Sequence, residues 1–558
     1  MTHSFHNLKN HICRDPICDW FELHDRYRRD EPSSFHVELG TQKGAYIDKF
    51  VDNFRDTHST IFHENLESGR TLPFLKDKKE CILYNCKLIH EGYNISVKPT
   101  LIFSRAIFQE IFREVTIDLP EYIVVDVLYK ILQFNADQTD LLNQGSLYYQ
   151  KCKMWLASEC LRPYVTGLKH GYFFGKEYRH KGTVLPKRET IGRFALRSLK
   201  GPIDLYKPSI KNALKWLQRL HTNRDKWVLE PEPSVRELYP NMNQKDGIWS
   251  TEKKRVAEAI QEITLVWNIT YEKRCILVDK GITKWSDPIL LGQIYPYKVK
   301  DNKRQLVQEQ MIHINSQTDL KISPRRLKKP GFIGIIKDQS NSIILDIEST
   351  SNLKETESYF EDLGIVEKPR ICIIGTILNQ GSFKASDKDK ELIFKDFTIR
   401  YLTNEEEEII IRYWVSFLKK RFKDSSAKQP IKVYHWGQAE VSYITYMKTK
   451  YPKIQYPEFQ MINLLNYFRE EPITIQGCFG YGLKEIVKQL YNLQLIETTW
   501  TEDVSGLDAM TQIMKTSEEA LLKKIPLKRF TEIKKMITYN YYDCRVIVDL
   551  LRLLETMV

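Results

Sequence analysis

The chain has 558 residues, of which 42% are hydrophobic and 28% charged, and its formal net charge at pH 7 is +12. This composition supports packed cores, predicts roughly two to four domains and excludes an intrinsically disordered chain. The excess of Lys and Arg suits a polyanionic partner such as nucleic acid, although charge alone does not identify one.

The sequence has no sign of export or membrane insertion. Its apolar stretches fall short of the ~20 residues of a membrane helix, and the residues after Met1 lack the basic and apolar regions of a signal peptide. The ten cysteines have neither the CxxC spacing of a zinc site nor the clustered run of an iron–sulfur protein. We therefore expect an intracellular protein, cytoplasmic or nuclear, with reduced thiols.

The first predicted region covers 1–185 and has the signals of an α/β domain. A helical opening is followed by short apolar runs of strand length, and helical periodicity follows near Tyr148–Cys160. The predicted strands lie at 81–90, 101–103 and 122–127.

The second predicted region covers 186–330 and is rich in helix-forming residues, with few strand signals. It also contains half of the ten tryptophans, namely Trp216, Trp227, Trp249, Trp267 and Trp285. This pattern predicts a helical connector domain.

The third predicted region covers 331–558. Apolar runs near its start predict strands at 332–336, 343–345, 371–375 and 397–400. A helix pattern at 405–421 follows, and its acidic start, Glu405–Glu408, suits the N-terminus of an exposed helix. A strand at 431–434 and further helices complete the region. Strands first and helices after predict a mixed sheet covered by helices.

Two carboxylates end the apolar run at 343–345. Residues two apart in a strand point to the same face, so Asp346 and Glu348 would project side by side. Like charges that close are unfavourable unless a cation lies between them, and carboxylate oxygens suit Mg²⁺ or Mn²⁺. The pair predicts a divalent metal site. The alternative is a strand end that runs into an acidic loop.

Two further acidic positions follow along the chain. Glu440 lies in the first turn of a predicted helix, directly after a strand and a turn at Gly437. Tyr539 and Asp543 are four residues apart in a pattern of helical spacing and therefore share a helix face. Each residue also has a structural explanation when taken alone. Glu440 would be a helix N-terminal carboxylate, Tyr539 a half-buried aromatic residue and Asp543 a surface acid.

The three motifs, in this order, resemble those of the DEDD exonucleases, which have the ribonuclease H-like fold, and the tyrosine resembles the DEDDy subgroup. The resemblance implies a catalytic set of Asp346, Glu348, Glu440, Tyr539 and Asp543. It also implies two-metal phosphodiester hydrolysis from a 3′ end. Two Mg²⁺ or Mn²⁺ ions would be held by Asp346, Glu348 and Asp543, and Tyr539 would orient the attacking water.

The sequence departs from this family at two positions. The second motif normally ends in Asp, whereas this chain has Glu440, and relatives often have an acid near Asn463. Two further side chains are candidate contacts to nucleic acid. His435 precedes the glycine turn, and a packed histidine or a metal ligand are the alternatives for it. Lys484 follows a glycine-rich segment that is predicted to open a helix.

The first region resembles the RecB-like group of PD-(D/E)XK nucleases. The resemblance rests on Lys98-Pro-Thr100, on the strand that contains Asp126 and Leu128, and on Asp48 in the first helical region. The family has Asp where Thr100 stands and Lys where Leu128 stands. A hydroxyl cannot replace a carboxylate as a metal ligand, and leucine cannot activate water, so we expect a degenerate site.

Two residues near this degenerate site are candidate contacts to nucleic acid. Gln150 lies in a helical motif that supports the RecB-like resemblance. Lys130 shares a strand face with Asp126 but lies about 6–7 Å beyond the position that the family's lysine takes. Rescue of catalysis by Lys130 is the alternative to a degenerate site.

Together the resemblances cover nearly the whole chain. They are to chains of bacteria and large DNA viruses in which a helical region joins a RecB-like domain to a ribonuclease H-like domain. They imply a 3′–5′ exonuclease that acts on DNA in replication, recombination or repair. Two alternatives stay open: RNA as the substrate, because the 2′-hydroxyl preference is not readable here, and a nucleic-acid-binding scaffold without catalysis.

Overall fold

The computed structural model describes residues 3–113, 115, 119–143, 145–185, 191–196, 204–244, 247–295, 302–350, 370–378, 392–423, 429–500 and 506–558. The chain is a mixed α/β protein, as predicted. Its described residues form two compact units, the first from 3–32 and 36–256 and the second from 33–35, 257–350 and 370–558. The division at Val256/Ala257 falls within the predicted helical region, whose described residues belong partly to each unit.

The first unit contains most of the short strands. They are β1 (His3–Ser4), β2 (Phe62–Glu64), β3 (Ile82–Tyr84), β4 (Leu88–His90), β5 (Ile95–Val97), β6 (Leu101–Ser104), β7 (Tyr122–Gln133), β8 (His170–His180), β9 (Thr183–Leu185) and β10 (Gly192–Ala195). The α-helices of this part of the chain are α1 (Lys9–Ile12), α2 (Ile17–His24), α3 (Ser34–Thr57), α4 (Ser68–Lys76), α5 (Arg105–Ile111), α6 (Leu147–Leu161), α7 (Lys207–Asn223) and α8 (Ser250–Ala259). Short 3₁₀ helices lie at Phe5–Leu8, Arg26–Arg28, Glu91–Tyr93 and Arg236–Leu238.

The main sheet of the first unit has the strand order β10-β8-β7-β6-β3-β2, with β9 on β8. Its central strand β7 is parallel to β8 and antiparallel to β6. Because β10 pairs with β8, the sheet extends beyond residue 185, where the sequence predicted the domain to end. The helix predicted near 148–160 is α6, which is buried along most of its length.

The second unit contains the remaining strands and helices. The strands are β11 (Ile322–Ser323), β12 (Ser342–Ser349), β13 (Ile371–Leu378), β14 (Ile393–Thr398), β15 (Ile431–His435), β16 (Phe459–Asn463) and β17 (Thr474–Ile475). The α-helices are α9 (Tyr271–Asp279), α10 (Leu290–Ile294), α11 (Lys303–Asn315), α12 (Pro330–Lys337), α13 (Asn404–Arg421), α14 (Ala439–Lys450), α15 (Leu464–Glu470), α16 (Leu483–Asn492), α17 (Gly506–Lys523) and α18 (Thr531–Glu555). Short 3₁₀ helices lie at Ile263–Leu265 and Leu527–Arg529. None of the helices described in either unit combines the length and the apolar character that a bilayer crossing requires.

The main sheet of the second unit has the order β14-β13-β12-β15-β16. Its central strand β12 is antiparallel to β13 and parallel to β15, so the sheet is mixed. Alternate residues of β12 enter two different apolar cores: Ile343, Leu345 and Ile347 lie in one and Ile344 in the other. Residues two apart share a strand face, so Asp346 lies on the face of Ile344.

Two predictions about local structure were wrong. The apolar run at 332–336 is part of helix α12, which begins with Pro330 at a position where proline favours a helix start and which buries Phe332 and Ile336. The acidic run at 405–408 does open a helix, α13, whose first turn is capped by the Thr403 hydroxyl. However, Glu406 and Glu407 are buried, so this helix N-terminus is not an exposed one.

Candidate active site

The second unit brings three of the predicted acids together. Asp346 and Glu348 lie on β12, and Asp543 lies on α18, which packs on β12 and β13. One ligand oxygen from each of the three carboxylates lies within 4.8 Å of those of the other two. Asp346 lies 194 residues before Asn540, which is on the same helix as Asp543. Nearly 200 residues therefore separate the strand pair from Asp543 along the chain. The fold therefore assembles this cluster from distant segments.

Glu440 lies near the same cluster. It stands in the first turn of α14 and is 7% exposed. The turn before α14 requires glycine, because Gly437 has a φ of 98°, which side chains rarely adopt. Burial is the main cause of the raised pKa values of Asp346 and Glu348, and the negative charge of Glu440 adds to both, so the carboxylates act on one another. Glu440 is not one of the three acids whose oxygens meet within ligand distance.

His435 does not suit the predicted role of a nucleic-acid contact. Its side chain is fully buried at the end of β15, and its Nδ1 lies 3.3 Å from Oε2 of Glu440. A buried ring cannot meet a nucleic-acid strand in this structure. Asn463, at the equivalent end of the neighbouring strand, caps helix α15 and accepts hydrogen bonds from the backbone N–H groups of Gly437 and Leu465, both at 3.1 Å. Asn463 therefore shapes the turn that leads to Glu440.

Tyr539 and Asp543 lie one helical turn apart on α18, as the spacing predicted. The hydroxyl of Tyr539 forms a hydrogen bond with Asp543, and the indole Nε1–H of Trp500 donates another to Asp543 Oδ1 at 2.9 Å. The ammonium group of Lys484 lies 5.0 Å from the centre of the Tyr539 ring and 5.7 Å from that of Trp500. Lys484 is therefore part of the site, whereas Trp500 had no recognisable signal in the sequence.

A second unpredicted residue, Asn540, holds Asp346. Its Nδ2 donates a hydrogen bond to Asp346 Oδ2 at 2.6 Å. Gly375 of β13 stands opposite Asp346, and a Cβ added there would come within 1.6 Å of the Asn540 Oδ1. The absence of a side chain at Gly375 therefore gives Asn540 the room to reach Asp346.

Burial and mutual repulsion hold protons on the cluster. Burial raises the pKa of Asp346 well above its usual range, and the charges of Asp543 and Glu348 add to this rise. Burial, together with Asp543, raises the pKa of Glu348 to about 8, while the nearby cation Lys484 opposes the rise. Without a divalent cation, the cluster therefore retains protons at neutral pH.

The pKa of Asp543 is raised least among the three carboxylates. Burial raises its pKa to about 6, and hydrogen bonds from Trp500 and Tyr539 and the charge of Lys484 oppose that rise. These three neighbours favour the ionised carboxylate, which is the form that binds a metal. The helix face around Asp543 is thus built to keep this acid charged.

The donor set fits a hard divalent cation. Three carboxylates supply only oxygen ligands, which Mg²⁺ and Mn²⁺ prefer, and a cation among them would relieve the repulsion that raises their pKa values. Within the described ranges, no other group of three or more His, Cys, Asp or Glu side chains meets at such distances.

No protein-family model matches this chain, and no curated protein or solved structure matches it either.

Among the described residues, the predicted degenerate site in the first unit has one carboxylate and not the second one that a metal centre needs. Asp126 is buried on β7, and its Oδ1 accepts hydrogen bonds from the backbone N–H of Thr100 at 2.9 Å and from the Thr100 hydroxyl at 2.5 Å. Leu128 is buried, and Asp48 is exposed on α3 and does not line the cavity that contains Asp126.

A lysine does reach Asp126, but it is not the predicted one. Lys130 instead donates a hydrogen bond to the Ser146 hydroxyl at 2.5 Å. Lys153 of α6 contacts both oxygens of Asp126, at 3.0 and 2.9 Å. The sequence held a weak signal for it, since Lys153 follows the predicted Gln150 by three residues and shares its helix face. Gln150, Lys130 and Lys153 line one cavity.

Proposed function

We propose that the second unit is a metal-dependent nuclease, a 3′–5′ exonuclease of the ribonuclease H-like DEDDy type that acts on DNA in replication, recombination or repair. The observation that carries the proposal is the meeting of Asp346, Glu348 and Asp543 within 4.8 Å. The mixed sheet flanked by helices and the tyrosine one turn before the last acid add support. The 3′–5′ polarity and the preference for DNA rest on the sequence resemblance.

Each side chain has a role that follows from its position. Asp346, Glu348 and Asp543 would hold two Mg²⁺ or Mn²⁺ ions. Bound ions would supply charge stabilisation for the attacking and leaving oxygens of an in-line displacement. Because Glu348 and Asp346 have raised pKa values, they release protons when a cation binds.

The surrounding groups orient these acids. Trp500 and Tyr539 fix the carboxylate of Asp543 through hydrogen bonds, and the Tyr539 hydroxyl beside that carboxylate would orient an attacking water. Asn540 fixes Asp346 in the same way. Glu440 adds a fourth carboxylate at the edge of the cluster. The ammonium group of Lys484 faces the same region and suits a phosphodiester of the bound strand.

Labelled single- and double-stranded oligonucleotides of DNA and RNA, incubated with the full chain and Mg²⁺ or Mn²⁺, test this proposal. We expect 5′ mononucleotides released from a 3′-hydroxyl end, and no products in the presence of a chelator. Products from DNA but not RNA support the assigned substrate, while the reverse result replaces it with RNA.

Two variants test which of the two units contains the catalytic residues. Asp346→Ala removes a ligand and should abolish cleavage while leaving strand binding in chelator unchanged. Asp126→Ala removes the buried acid of the first unit and should leave cleavage intact. Cleavage that survives Asp346→Ala but is lost in Asp126→Ala would place catalysis in the first unit and refute the proposal.

A further inference from the structure

The first unit contains a cavity of about 570 Å³ whose lining is strongly basic. Among the described residues that line it, six are lysines or histidine, namely His6, Lys9, Lys43, Lys98, Lys130 and Lys153, and one, Asp126, has a carboxylate. A volume of this order is typical of sites for small ligands. The charge balance indicates that an anion, and not a cation, is the ligand.

The single carboxylate is already neutralised. Both oxygens of Asp126 accept from the Lys153 ammonium group, and Oδ1 also accepts from the backbone and the hydroxyl of Thr100. A divalent cation at this position would have to displace Lys153, and the described lining residues offer it no second acid. In the part of the chain that the structure describes, no group of metal-binding side chains lies here.

Three of the lysines have no acidic partner among the residues that the structure describes. Lys9, Lys43 and Lys98 are exposed, and none forms a hydrogen bond or an ion pair with another side chain that the structure describes. Burial lowers the pKa of Lys130, and the charges of Lys43 and Lys9 lower it further. Burial and the same two lysines also lower the pKa of His6. Cations that destabilise one another in a concave site favour an anion between them.

We propose that this cavity binds, without a metal ion, the phosphoryl group of a nucleotide or of a nucleic-acid strand end. A terminal phosphoryl group has nearly two negative charges and three acceptor oxygens, which several lysine ammonium groups can match at once. The Gln150 amide adds a neutral donor, and the rings of Tyr129 and Tyr149 supply apolar walls for the adjoining sugar or base. The proposal does not depend on the nuclease activity of the second unit.

Binding is measured with the full chain in chelator, so that metal-dependent reactions do not contribute. The probe is a fluorescent single-stranded oligonucleotide with a 5′-phosphate, and the same strand without the phosphate serves as its comparison. Inorganic phosphate and a nucleoside 5′-monophosphate are the competitors. Stronger binding of the phosphorylated strand than of the unphosphorylated strand identifies a strand end as the ligand. If inorganic phosphate and the nucleoside 5′-monophosphate displace the strand equally well, the ligand is a free phosphate or nucleotide.

The double variant Lys43→Ala/Lys130→Ala removes two of the cations. We expect its dissociation constant for the phosphorylated probe to rise about tenfold or more, because one charge-assisted hydrogen bond alone contributes about that factor. The slope of log affinity against log salt should become shallower as well. Lys211→Ala/Lys215→Ala removes the same charge from exposed positions of α7 in the same unit and should change the constant less than about twofold.

A second variant changes the affinity in the opposite direction. Asp126→Asn removes the carboxylate that lines the cavity and releases Lys153 from its ion pair, so it should tighten phosphate binding severalfold. Circular dichroism spectra and unfolding temperatures confirm that each variant is folded. Equal affinities of the Lys43/Lys130 variant and its control would overturn the proposal, and so would Mn²⁺ binding that disappears in Asp126→Asn.

Discussion

The side-chain amide of Asn540 donates a hydrogen bond of 2.6 Å to Asp346, although 194 residues separate the two along the chain. The same helix, α18, supplies Asp543 to the carboxylate cluster. One helix therefore contributes one acid and orients another on the facing strand. The position of Asp346 then depends on a residue that is not itself one of the proposed metal ligands.

Replacing Asn540 with alanine should lower the rate of metal-dependent cleavage by about 10- to 100-fold, the range that is typical when a group orienting a metal ligand is lost. Asn540 is fully buried, so we also expect a loss of about 1–3 kcal/mol in the free energy of unfolding. Cleavage rates over a series of Mn²⁺ concentrations measure the first effect. Asn492→Ala, at an exposed position of α16, is the control. A wild-type rate and Mn²⁺ dependence in Asn540→Ala would show that Asp346 needs no such support.

The stability of the metal-free protein should depend on pH because of Glu348. Its pKa of about 8 in the folded chain lies above the ordinary value of 4.5. The folded state therefore binds this proton more tightly than the unfolded state, and the resulting stabilisation is complete below pH 4.5 and lost as pH rises through 8. In chelator, we expect the unfolding temperature to fall between about pH 5 and pH 8, and Mg²⁺ should restore it at pH 8.

Glu348→Gln separates this effect from other titrations. The neutral amide removes the like charge, so in chelator at pH 8 the variant should be more stable than the wild type, by about 1–4 kcal/mol since each pKa unit is worth about 1.4 kcal/mol. The same variant should gain little from Mg²⁺, because it has lost a ligand. A variant less stable than the wild type at pH 8, and equally stabilised by Mg²⁺, would contradict the cluster's electrostatics.

The parts of the site that depend on short spacings were readable from the sequence. Two-residue alternation placed Asp346 and Glu348 on one strand face, and four-residue spacing placed Tyr539 and Asp543 on one helix face. Glu440 was found through the strand and glycine turn that precede it. These inferences need only local geometry, which the structure reproduces.

Contacts between distant segments could not be predicted from the sequence. The fit of Asn540 against Gly375 requires knowledge of where α18 crosses the sheet, and the contact of Lys153 with Asp126 requires the position of α6 on β7. The run at 332–336 failed for a different reason: five apolar residues fit a buried strand and a short buried helix equally well. Proline at 330 was the signal for a helix start.

Buried Glu407 offers a test of the fold around β13. Its carboxylate accepts hydrogen bonds from the backbone N–H of Ile371, at 2.7 Å, and from the hydroxyl of Tyr451 and the ammonium group of Lys450, both at 2.6 Å. Glu407→Ala leaves these donors buried without their acceptor and should lower the free energy of unfolding by about 3–5 kcal/mol. Denaturant titration measures the change.

The adjacent residue is a matched control for that experiment. Glu408 is partly exposed on the same helix and pairs with Arg412 at the surface, so Glu408→Ala should cost no more than about 0.5 kcal/mol. Similar losses in the two variants would mean that the buried network around Glu407 contributes nothing specific.

Lys484→Met tests whether this lysine acts on the carboxylates or on the substrate. Its charge lowers the pKa values of Glu348 and Asp543, so its removal should raise both. Metal binding requires these acids to be ionised, and the acidic limb of the rate against pH should therefore move to higher pH. Lys488→Met changes an exposed position one turn further along α16. It should not shift the acidic limb of the rate against pH. If Lys484 binds only the phosphodiester, KM should rise in Lys484→Met while the limb stays unchanged, which would contradict its electrostatic role.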